Sequence, residues 1–339
     1  MNPTPLRLEL LNLHLRQVFR IAKASAEKQQ SLIVRWFDGL GEGAPSIHYG
    51  LSASQLLTSL EALIARSGEI RSQADIRKLI ELLPPDHNVA RCALEMALLD
   101  QEAKRENQPL WQYLGLRKPA SVESSMTITP GNRDELKSQL ERAEGFSSLK
   151  LKVGFNGDLR FVDQVLKLRE ARLRLDANGG WSVGQAIESL RALAGYPLDF
   201  VEEPLSDPTV RDLDKVKMRV ECVLFLDESI KALADLHKFH EVADGVNLKL
   251  AKCGGLLRTL ELAQEAREHN LRLLLGCMLE SAVGITAALH LASLFDYFDL
   301  DAIVLTENDP YWGAQFENGH LLLPEGAGIG IAAEERRFA

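Results

Sequence analysis

From Ser121 onward, short apolar segments typical of β-strands alternate at a regular pitch with longer segments typical of helices. The eight strand-like segments are 125–129, 149–153, 172–176, 199–203, 223–227, 245–250, 273–277 and 302–306. Parallel strands joined by helical crossovers are most economically arranged as a closed barrel. We therefore predict an α/β fold with a (β/α)8-type barrel over residues 119–306.

The residues before this repeat have a different pattern. Segments 6–10 and 31–36 read as strands, and three amphipathic helices follow, at 52–66, at 75–83 and after a capping Asn88. The polar stretch 20–30 is predicted to be a loop, and the glycine-rich stretch 39–45 is predicted to be a turn. We expect an N-terminal α+β capping domain over 1–118, and a C-terminal tail over 307–339 that packs back on it.

Composition and charge exclude several classes of protein. The net charge of −9 comes without a basic stripe, which argues against a nucleic-acid partner. No uncharged apolar run is as long as a membrane span, and the first residues do not resemble a signal peptide. The four cysteines are far apart, which suits reduced thiols. We expect a cytoplasmic protein with no membrane partner.

Acidic residues end three successive predicted strands. They are Asp176, Glu202 and Asp227, and active sites of such barrels lie at the C-terminal ends of the strands. A single aspartate at this position is often only the N-cap of the next helix. Three carboxylates converging without histidine or cysteine instead predict an all-oxygen site that suits Mg²⁺.

Lysines alternate with leucines in two of the predicted strands. Lys150 and Lys152 share one face of the second strand, and Lys249 lies between Leu248 and Leu250 in the sixth. On an exposed sheet these lysines would be ordinary surface charges. In a closed barrel they would point into the lumen, with Lys152 and Lys249 facing each other across it. Lys252, beyond the predicted strand end, is interpreted as a loop residue.

Together these residues resemble the enolase superfamily, muconate-lactonizing subgroup. The matching residues are Lys150-x-Lys152, Asp176, Glu202, Asp227-Glu228-Ser229, Lys249 with Gly254-Gly255, and the segment 90–100. The resemblance implies a modified (β/α)7β barrel whose capping domain is completed by the tail. It also implies a Mg²⁺-stabilised enolate, formed when a proton next to a carboxylate is removed. Lys152 and Lys249 would act as bases on opposite faces of the intermediate, and Lys150 would add a second cation.

Two alternating aspartates, Asp299 and Asp301, narrow the expected substrate. The pair is similar to one in the dipeptide epimerases of this subgroup, where it binds the substrate's N-terminal ammonium. The resemblance therefore implies a small dipeptide substrate, with L-Ala-D/L-Glu as the first candidate. Arg20 and His48 are candidates for contacting the substrate's side chain, although His48 stands where we expect an arginine in many relatives. Glu280 is a candidate for binding the ammonium or orienting a lysine.

Two other functions are compatible with the same residues. The same active site would serve an N-acylamino-acid racemase, an o-succinylbenzoate synthase or a cycloisomerase, whose substrates lack the free ammonium. A metal-binding scaffold without catalysis is the other reading, but it would not need opposed bases. We also expect a homo-oligomer, whose subunit number the sequence does not define.

Overall fold

The computed structural model describes residues 5–22, 24–46 and 50–331. Within these residues the chain forms an N-terminal antiparallel sheet with helices, followed by a barrel of eight parallel strands. The predicted α/β barrel with an N-terminal α+β cap is confirmed. None of the helices in the described residues is long and apolar enough to cross a membrane.

A long β-hairpin dominates the N-terminal sheet. Strand β1 (Leu6–Ile21) pairs antiparallel with β2 (Ala24–Trp36), from Leu6 opposite Trp36 to Ile21 opposite Ala24. The loop predicted over 20–30 is therefore wrong. Backbone pairing between two strands does not require apolar side chains, so a polar segment at the outer end of a hairpin can still form a ladder.

The glycine-rich stretch is also a strand rather than a turn. Strand β3 (Gly39–Gly43) pairs with β2 and lies directly against helix α3 (Asn88–Arg105). A Cβ atom on Gly41 would lie 2.1 Å from the carbonyl oxygen of Ala93. Gly39 and Gly43 face other carbonyl groups of α3 in the same way. Glycine is needed here because the strand backbone touches the helix backbone.

Three helices cover this sheet, and two short elements lead to the barrel. The remaining elements of this part are α1 (Ala53–Ser67), α2 (Gln73–Glu81), α4 (Leu110–Tyr113) and β4 (Val122–Glu123). Ser52 caps α1 through its side chain, as does Ser72 for α2. The predicted cap of α3 is wrong, because Asn88 is already helical and its amide donates to the carbonyl oxygen of Lys252 at 2.9 Å. This hydrogen bond joins helix α3 of the N-terminal part to the barrel.

The barrel strands are adjacent in space in the order in which they follow along the chain. They are β5 (Met126–Ile128), β6 (Ser148–Lys152), β7 (Arg172–Asp176), β8 (Leu198–Glu202), β9 (Leu224–Leu226), β10 (Gly245–Leu248), β11 (Arg272–Gly276) and β12 (Tyr297–Asp299). A parallel bridge between Ser124 and Phe298 joins the first strand to the last. The eighth strand predicted at 302–306 is wrong: it lies at 297–299, and the apolar residues that suggested it form a helical turn.

Helices follow most of the strands, and the longer ones pack outside the barrel. They are α5 (Arg133–Arg142), α6 (Asp158–Leu168), α7 (Val183–Ala192), α8 (Val210–Lys217), α9 (Leu233–Phe239), α10 (Leu250–Cys253), α11 (Leu256–Glu268), α12 (Ala282–Leu289) and α13 (Ala302–Leu305). Their buried leucines, valines and alanines join the outward-facing strand residues in one large core. This outer layer explains why Leu149 and Leu151 are completely buried.

Aromatic side chains fill the barrel interior near the N-terminal ends of the strands. Phe200 and Phe225 stack with ring centroids 4.3 Å apart, and Tyr297 meets both rings edge-on. The guanidinium of Arg174 lies over two of these rings and donates to the carbonyl oxygen of Phe298 at 2.7 Å. The lumen is therefore closed at this end, and any site must open at the other.

After the barrel the chain returns to the N-terminal part. Strands β13 (Gln315–Glu317) and β14 (His320–Leu322) form a small sheet with β4. Further on, the amide of Ile329 donates to Oδ1 of Asp100 at 2.7 Å, and Leu110 donates to the carbonyl oxygen of Gly328. These contacts tie the tail to α3 and to the loop after it.

Candidate active site

Strand register places the charged residues of β6, β7 and β8 at one level of the barrel. Lys152 lies opposite Asp176, and Asp176 lies opposite Glu202. Because Leu149 and Leu151 face the outer helices, Lys150 and Lys152 face the lumen. The surface-charge reading is thus excluded: Lys150 is only 1% exposed.

Lys150 is surrounded by carboxylates. Its Nζ lies 2.7 Å from Oδ2 of Asp299, 2.9 Å from Oε2 of Glu202 and 3.1 Å from Oδ2 of Asp176. Burial by itself lowers a lysine pKa, but these three negative groups raise the pKa of Lys150 well above its ordinary value. Lys150 is therefore a permanent cation in the centre of the lumen.

Lys249 enters the lumen from the other side. It follows β10 and precedes the one-turn helix α10, and its Nζ lies 2.5 Å from Oδ2 of Asp227. Burial lowers the pKa of Lys249, but the negative charges of Asp227, Glu202 and Glu228 together raise the pKa above its ordinary value. Strands β6 and β10 are four positions apart in a ring of eight. Lys152 and Lys249 therefore line one cavity from opposite walls.

Lys252 was wrongly interpreted as a loop residue. It lies on α10, is almost fully buried, and its Nζ donates to Oδ1 of Asp227 at 2.6 Å. The same ammonium donates to the carbonyl oxygens of Asp227 and Asn247. Residues three apart lie on the same side of a helix, so the spacing of Lys252 from Lys249 indicates a shared direction only if a helix is predicted here. The sequence analysis did not predict this short helix.

The three predicted metal ligands are completely buried. Burial raises the pKa of an aspartate, but neighbouring lysines hold the pKa of Asp176 and of Asp227 below the ordinary value. For Glu202 burial prevails, and its pKa is raised to about 7. The donor set consists of oxygen only, which fits Mg²⁺.

These carboxylates are paired with ammonium groups. Asp176 and Glu202 contact the same lysine, Lys150, whereas Asp227 contacts Lys249 and Lys252. Among the described residues, the three acids do not form a set whose ligand atoms all lie within 4.8 Å of one another. The residues suit a divalent cation in chemistry, and such an ion would compete with the ammonium groups for these oxygens.

Asp299 and Asp301 lie at the end of β12, and both line the cavity. Oδ1 of Asp299 accepts from the hydroxyl of Ser125 at 2.9 Å, and Oδ2 of Asp301 accepts from the backbone N–H of Thr127 at 2.6 Å. Burial, and then the negative charge of Asp299, raise the pKa of Asp301 to about 7. The two carboxyl groups are thus fixed by β5 on the neighbouring side of the closed barrel.

The other predicted substrate contacts are placed differently. Arg20 lies on β1 outside the cavity lining, and its guanidinium donates to Oε1 of Glu135 at 3.1 Å. Glu280 is buried and does not line the cavity; burial and then the charge of Glu42 raise its pKa well above the ordinary value. His48 is outside the described residues, so its role stays a prediction.

The cavity has a volume of about 140 Å³ and lies between the strand ends and the N-terminal sheet. Among the described residues that line it, the charged or acidic groups all come from the barrel. The described residues that the N-terminal part contributes carry no charge, namely Phe19, Ile21, Ala24, Ser25, Ala26, Gln29, Pro45 and Ser46. Most of them lie in the segment 20–30, which was predicted to be a loop but forms part of the hairpin.

Two acids next to the predicted ligands, Glu203 and Glu228, were not predicted as site residues. Glu203 accepts from the backbone N–H of Asp227 at 2.8 Å and from the hydroxyl of Ser229, and burial, followed by the charge of Glu228, raises its pKa to about 8. Glu228 lines the cavity and accepts from the side-chain amide of Asn178 at 3.0 Å. The acidic doublets at 202–203 and 227–228 were a visible signal for both residues.

Comparison with protein families matches both parts of the chain. Residues 12–115 match the mandelate racemase / muconate lactonizing enzyme N-terminal domain, and residues 135–337 match the enolase C-terminal domain-like family. An L-Ala-D/L-amino acid epimerase from Pedosphaera parvula is 35% identical over 308 residues, covering 87% of this chain and 88% of its own. A hydrophobic dipeptide epimerase from Roseobacter litoralis is 37% identical over 250 residues, covering 71% of this chain and 72% of its own.

Solved structures agree over nearly the whole chain. A dipeptide epimerase from Enterococcus faecalis, in complex with Mg and the dipeptide L-Leu-L-Tyr, superposes with a TM-score of 0.88 at 29% identity, covering 97% of this chain and 99% of its own. The substrate-liganded L-Ala-D/L-Glu epimerase from Bacillus subtilis gives a TM-score of 0.88 at 26% identity, covering 98% and 99%. With both domains matched, the chain belongs to the mandelate racemase/muconate lactonizing enzyme family of the enolase superfamily.

Proposed function

We propose that this protein is a Mg²⁺-dependent dipeptide epimerase that inverts the α-carbon of the C-terminal residue. The observation that carries the proposal is the placement of Lys152 and Lys249 on opposite walls of one cavity that also contains Asp299 and Asp301. Two opposed bases suit a 1,1-proton transfer, in which one amine removes the α-proton and the other returns it from the opposite face.

Asp176, Glu202 and Asp227 would hold the metal ion. When bound, Mg²⁺ supplies Lewis-acid stabilisation to the substrate carboxylate, next to the carbon that loses its proton. Lys150, buried between these ligands and Asp299, adds fixed positive charge where the enolate develops. Relatives crystallised with Mg and a dipeptide support this assignment.

Asp299 and Asp301 would bind the N-terminal ammonium of the dipeptide. Carboxylates accept strong charge-assisted hydrogen bonds from an ammonium group. The hydrogen bonds from Ser125 and Thr127 hold the two side chains at the cavity wall. N-acylamino-acid racemase, o-succinylbenzoate synthase and cycloisomerase substrates have no such ammonium, so this pair favours a dipeptide over them.

The side chain of the second substrate residue would face the N-terminal hairpin. L-Ala-L-Glu is the first substrate to test. Uncharged side chains are the second candidate, because the described hairpin residues that line the cavity are apolar or neutral and Arg20 is paired with Glu135 outside it. Relatives named hydrophobic dipeptide epimerase support this preference.

Hydrogen exchange in D₂O tests the activity. The protein is incubated with Mg²⁺ and L-Ala-L-Glu, L-Ala-L-Leu or N-acetyl-L-leucine, and the α-proton signals are followed by NMR. We expect exchange with inversion at the second residue of a dipeptide, and loss of both after treatment with EDTA. Exchange into the N-acyl amino acid alone would favour the racemase, and no exchange into any substrate would favour a scaffold.

We also propose the domain boundaries, the location and the oligomeric state of the protein. The division into 1–118, 119–306 and 307–339 is supported by the return of the tail to α3. A cytoplasmic location is supported by four free cysteine thiols. A homo-oligomer is to be tested by size-exclusion chromatography with light scattering.

A further inference from the structure

We propose that the outer surface of the barrel carries a second metal site, formed by His237, Glu265 and His269, that takes Zn²⁺ or a similar divalent transition-metal ion. This site is separate from the lumen and does not depend on the proposed epimerase activity. It lies between helices α9 and α11, in the layer outside strands β9 to β11.

The three side chains converge on one point. His237 projects from α9, Glu265 lies near the C-terminal end of α11, and His269 follows one turn later. Nε2 of His237 lies 2.7 Å from Oε1 of Glu265, and Nε2 of His269 lies 3.3 Å from the same oxygen. In the described part of the chain, this is the only set of three histidine, cysteine or acidic residues whose ligand atoms all lie within 4.8 Å of one another.

These distances are close to those of a zinc site. With Zn–N and Zn–O bonds of about 2.0–2.2 Å, tetrahedral ligand atoms are roughly 3.3–3.5 Å apart. For an ion to replace the hydrogen-bonding protons, the distance from His237 to Glu265 would have to lengthen by about 0.6–0.8 Å, whereas that from His269 to Glu265 would change by about 0.2 Å or less. Two histidines and one carboxylate are a ligand set that zinc accepts, and the fourth position would be filled by water.

The surroundings allow entry of an ion and fix one of its ligands. The side chain of His237 is 56% exposed, and those of Glu265 and His269 are exposed by 27% and 28%. The ring of His240 packs on that of His269 with centroids 4.1 Å apart, and Nδ1 of His240 lies 3.0 Å from the carbonyl oxygen of His237. His240 is thus a positioning residue that restricts the orientation of the His269 ring.

The site would join two helices that are not consecutive in the chain. Helix α9 precedes β10 and α11 follows it, so a bound ion would link the two crossovers around the strand that leads to Lys249. An ion that binds the folded but not the unfolded chain stabilises the fold. Stability therefore gives a readout that is independent of catalysis.

The test is titration of Zn²⁺ into the full-length protein by isothermal calorimetry, with excess Mg²⁺ present to occupy the acidic site. The variants are His269→Ala and the double variant His237→Ala/His269→Ala. The matched control is His320→Ala, an exposed histidine on β14. We expect the wild type and the control to bind one Zn²⁺ more than the double variant. His269→Ala should bind at least about 10- to 100-fold more weakly, which is the loss typical of removing a residue that only supports a ligand.

Two further measurements make the result decisive. Zn²⁺ should raise the unfolding temperature of the wild type and the control but not of the double variant. Co²⁺ should give the visible absorption of a tetrahedral site in the wild type and the control alone. Equal Zn²⁺ stoichiometry and affinity in the wild type and the double variant would overturn the proposal, and the cluster would then be only a hydrogen-bonded contact.

Discussion

Lys152 and Asp176 lie directly opposite each other in neighbouring strands, with the lysine Nζ 2.6 Å from Oδ2 of the aspartate. The contact joins a proposed base to a proposed metal ligand. A base needs a lone pair and an ammonium has none, so Lys152 cannot keep this ion pair and accept a proton at the same time. A cation held by Asp176 would compete for the same oxygen, which couples metal binding to the state of the base.

Replacing either proposed base should stop inversion of the α-carbon while exchange of the α-proton with D₂O continues for one diastereomer. In Lys152→Ala or Lys249→Ala we expect epimerisation to fall by about 10²- to 10⁴-fold or more, because one proton transfer loses its acid or base. Each variant should still exchange the α-proton of one diastereomer in D₂O, and the two variants should retain opposite diastereomers. NMR of both diastereomers measures this.

Lys215→Ala is the matched control for these variants, since Lys215 is an exposed lysine paired with Asp212. It should exchange and invert like the wild type. If both site variants lost exchange of the same diastereomer, the two lysines would not be opposed bases.

Removing the central cation should destabilise the fold. Lys150→Met would leave Asp176, Glu202 and Asp299 without the ammonium that they share, and breaking a buried pair typically costs about 3–5 kcal/mol. Urea denaturation measures the free energy of unfolding. Lys215→Met breaks an exposed pair and should cost about 1 kcal/mol or less. Equal losses would show that the burial of Lys150 does not matter.

The close approach of β3 to α3 should not tolerate a methyl group. In Gly41→Ala the new Cβ would lie 2.1 Å from the carbonyl oxygen of Ala93, so the strand must move away from the helix. We expect a loss of about 1–3 kcal/mol in the free energy of unfolding, the range typical of overpacking. The control is Gly195→Ala, where no atom lies within 4 Å of the new Cβ and the change should be within about 0.5 kcal/mol. A tolerant Gly41→Ala would contradict the packing described above.

His290 should make stability fall in mild acid. Burial lowers the pKa of His290 from 6.5 to about 4, and its Nδ1 accepts a hydrogen bond from the backbone N–H of Trp111 at 3.1 Å. Below pH 6.5 the unfolded chain binds a proton that the folded chain does not bind until about pH 4. The free energy of unfolding should therefore be unaffected by this group above pH 6.5 and decrease between pH 6.5 and 4, by on the order of 3 kcal/mol.

Denaturation at several pH values, compared with His290→Gln, isolates this contribution. The variant should lose that part of the slope, whereas His14→Gln, at an exposed histidine, should keep it. An identical slope in His290→Gln and the wild type would show that His290 is not the group responsible.

Much of the site could be predicted because it depends on local periodicity. Alternation with leucines placed Lys150 and Lys152 on the inner face of β6, and the position of each acid at a strand end placed Asp176, Glu202 and Asp227 at one end of the barrel. The eighth strand was predicted at the wrong position because the apolar residues 303–305 are as compatible with a helical turn as with a strand. A short apolar segment does not distinguish the two.

The chain's periodicity by itself determined the barrel, its order of strands and the inward direction of its lysines and acids. Only the tertiary structure decided that residues 24–30 pair as a strand, that Gly39–Gly43 lies against α3, and that Lys252 is buried on Asp227. These features depend on a neighbour that is distant in sequence: a facing strand, a helix backbone or a carboxylate. A periodic pattern predicts the direction of a side chain, but it does not predict which residue distant in sequence will contact that side chain.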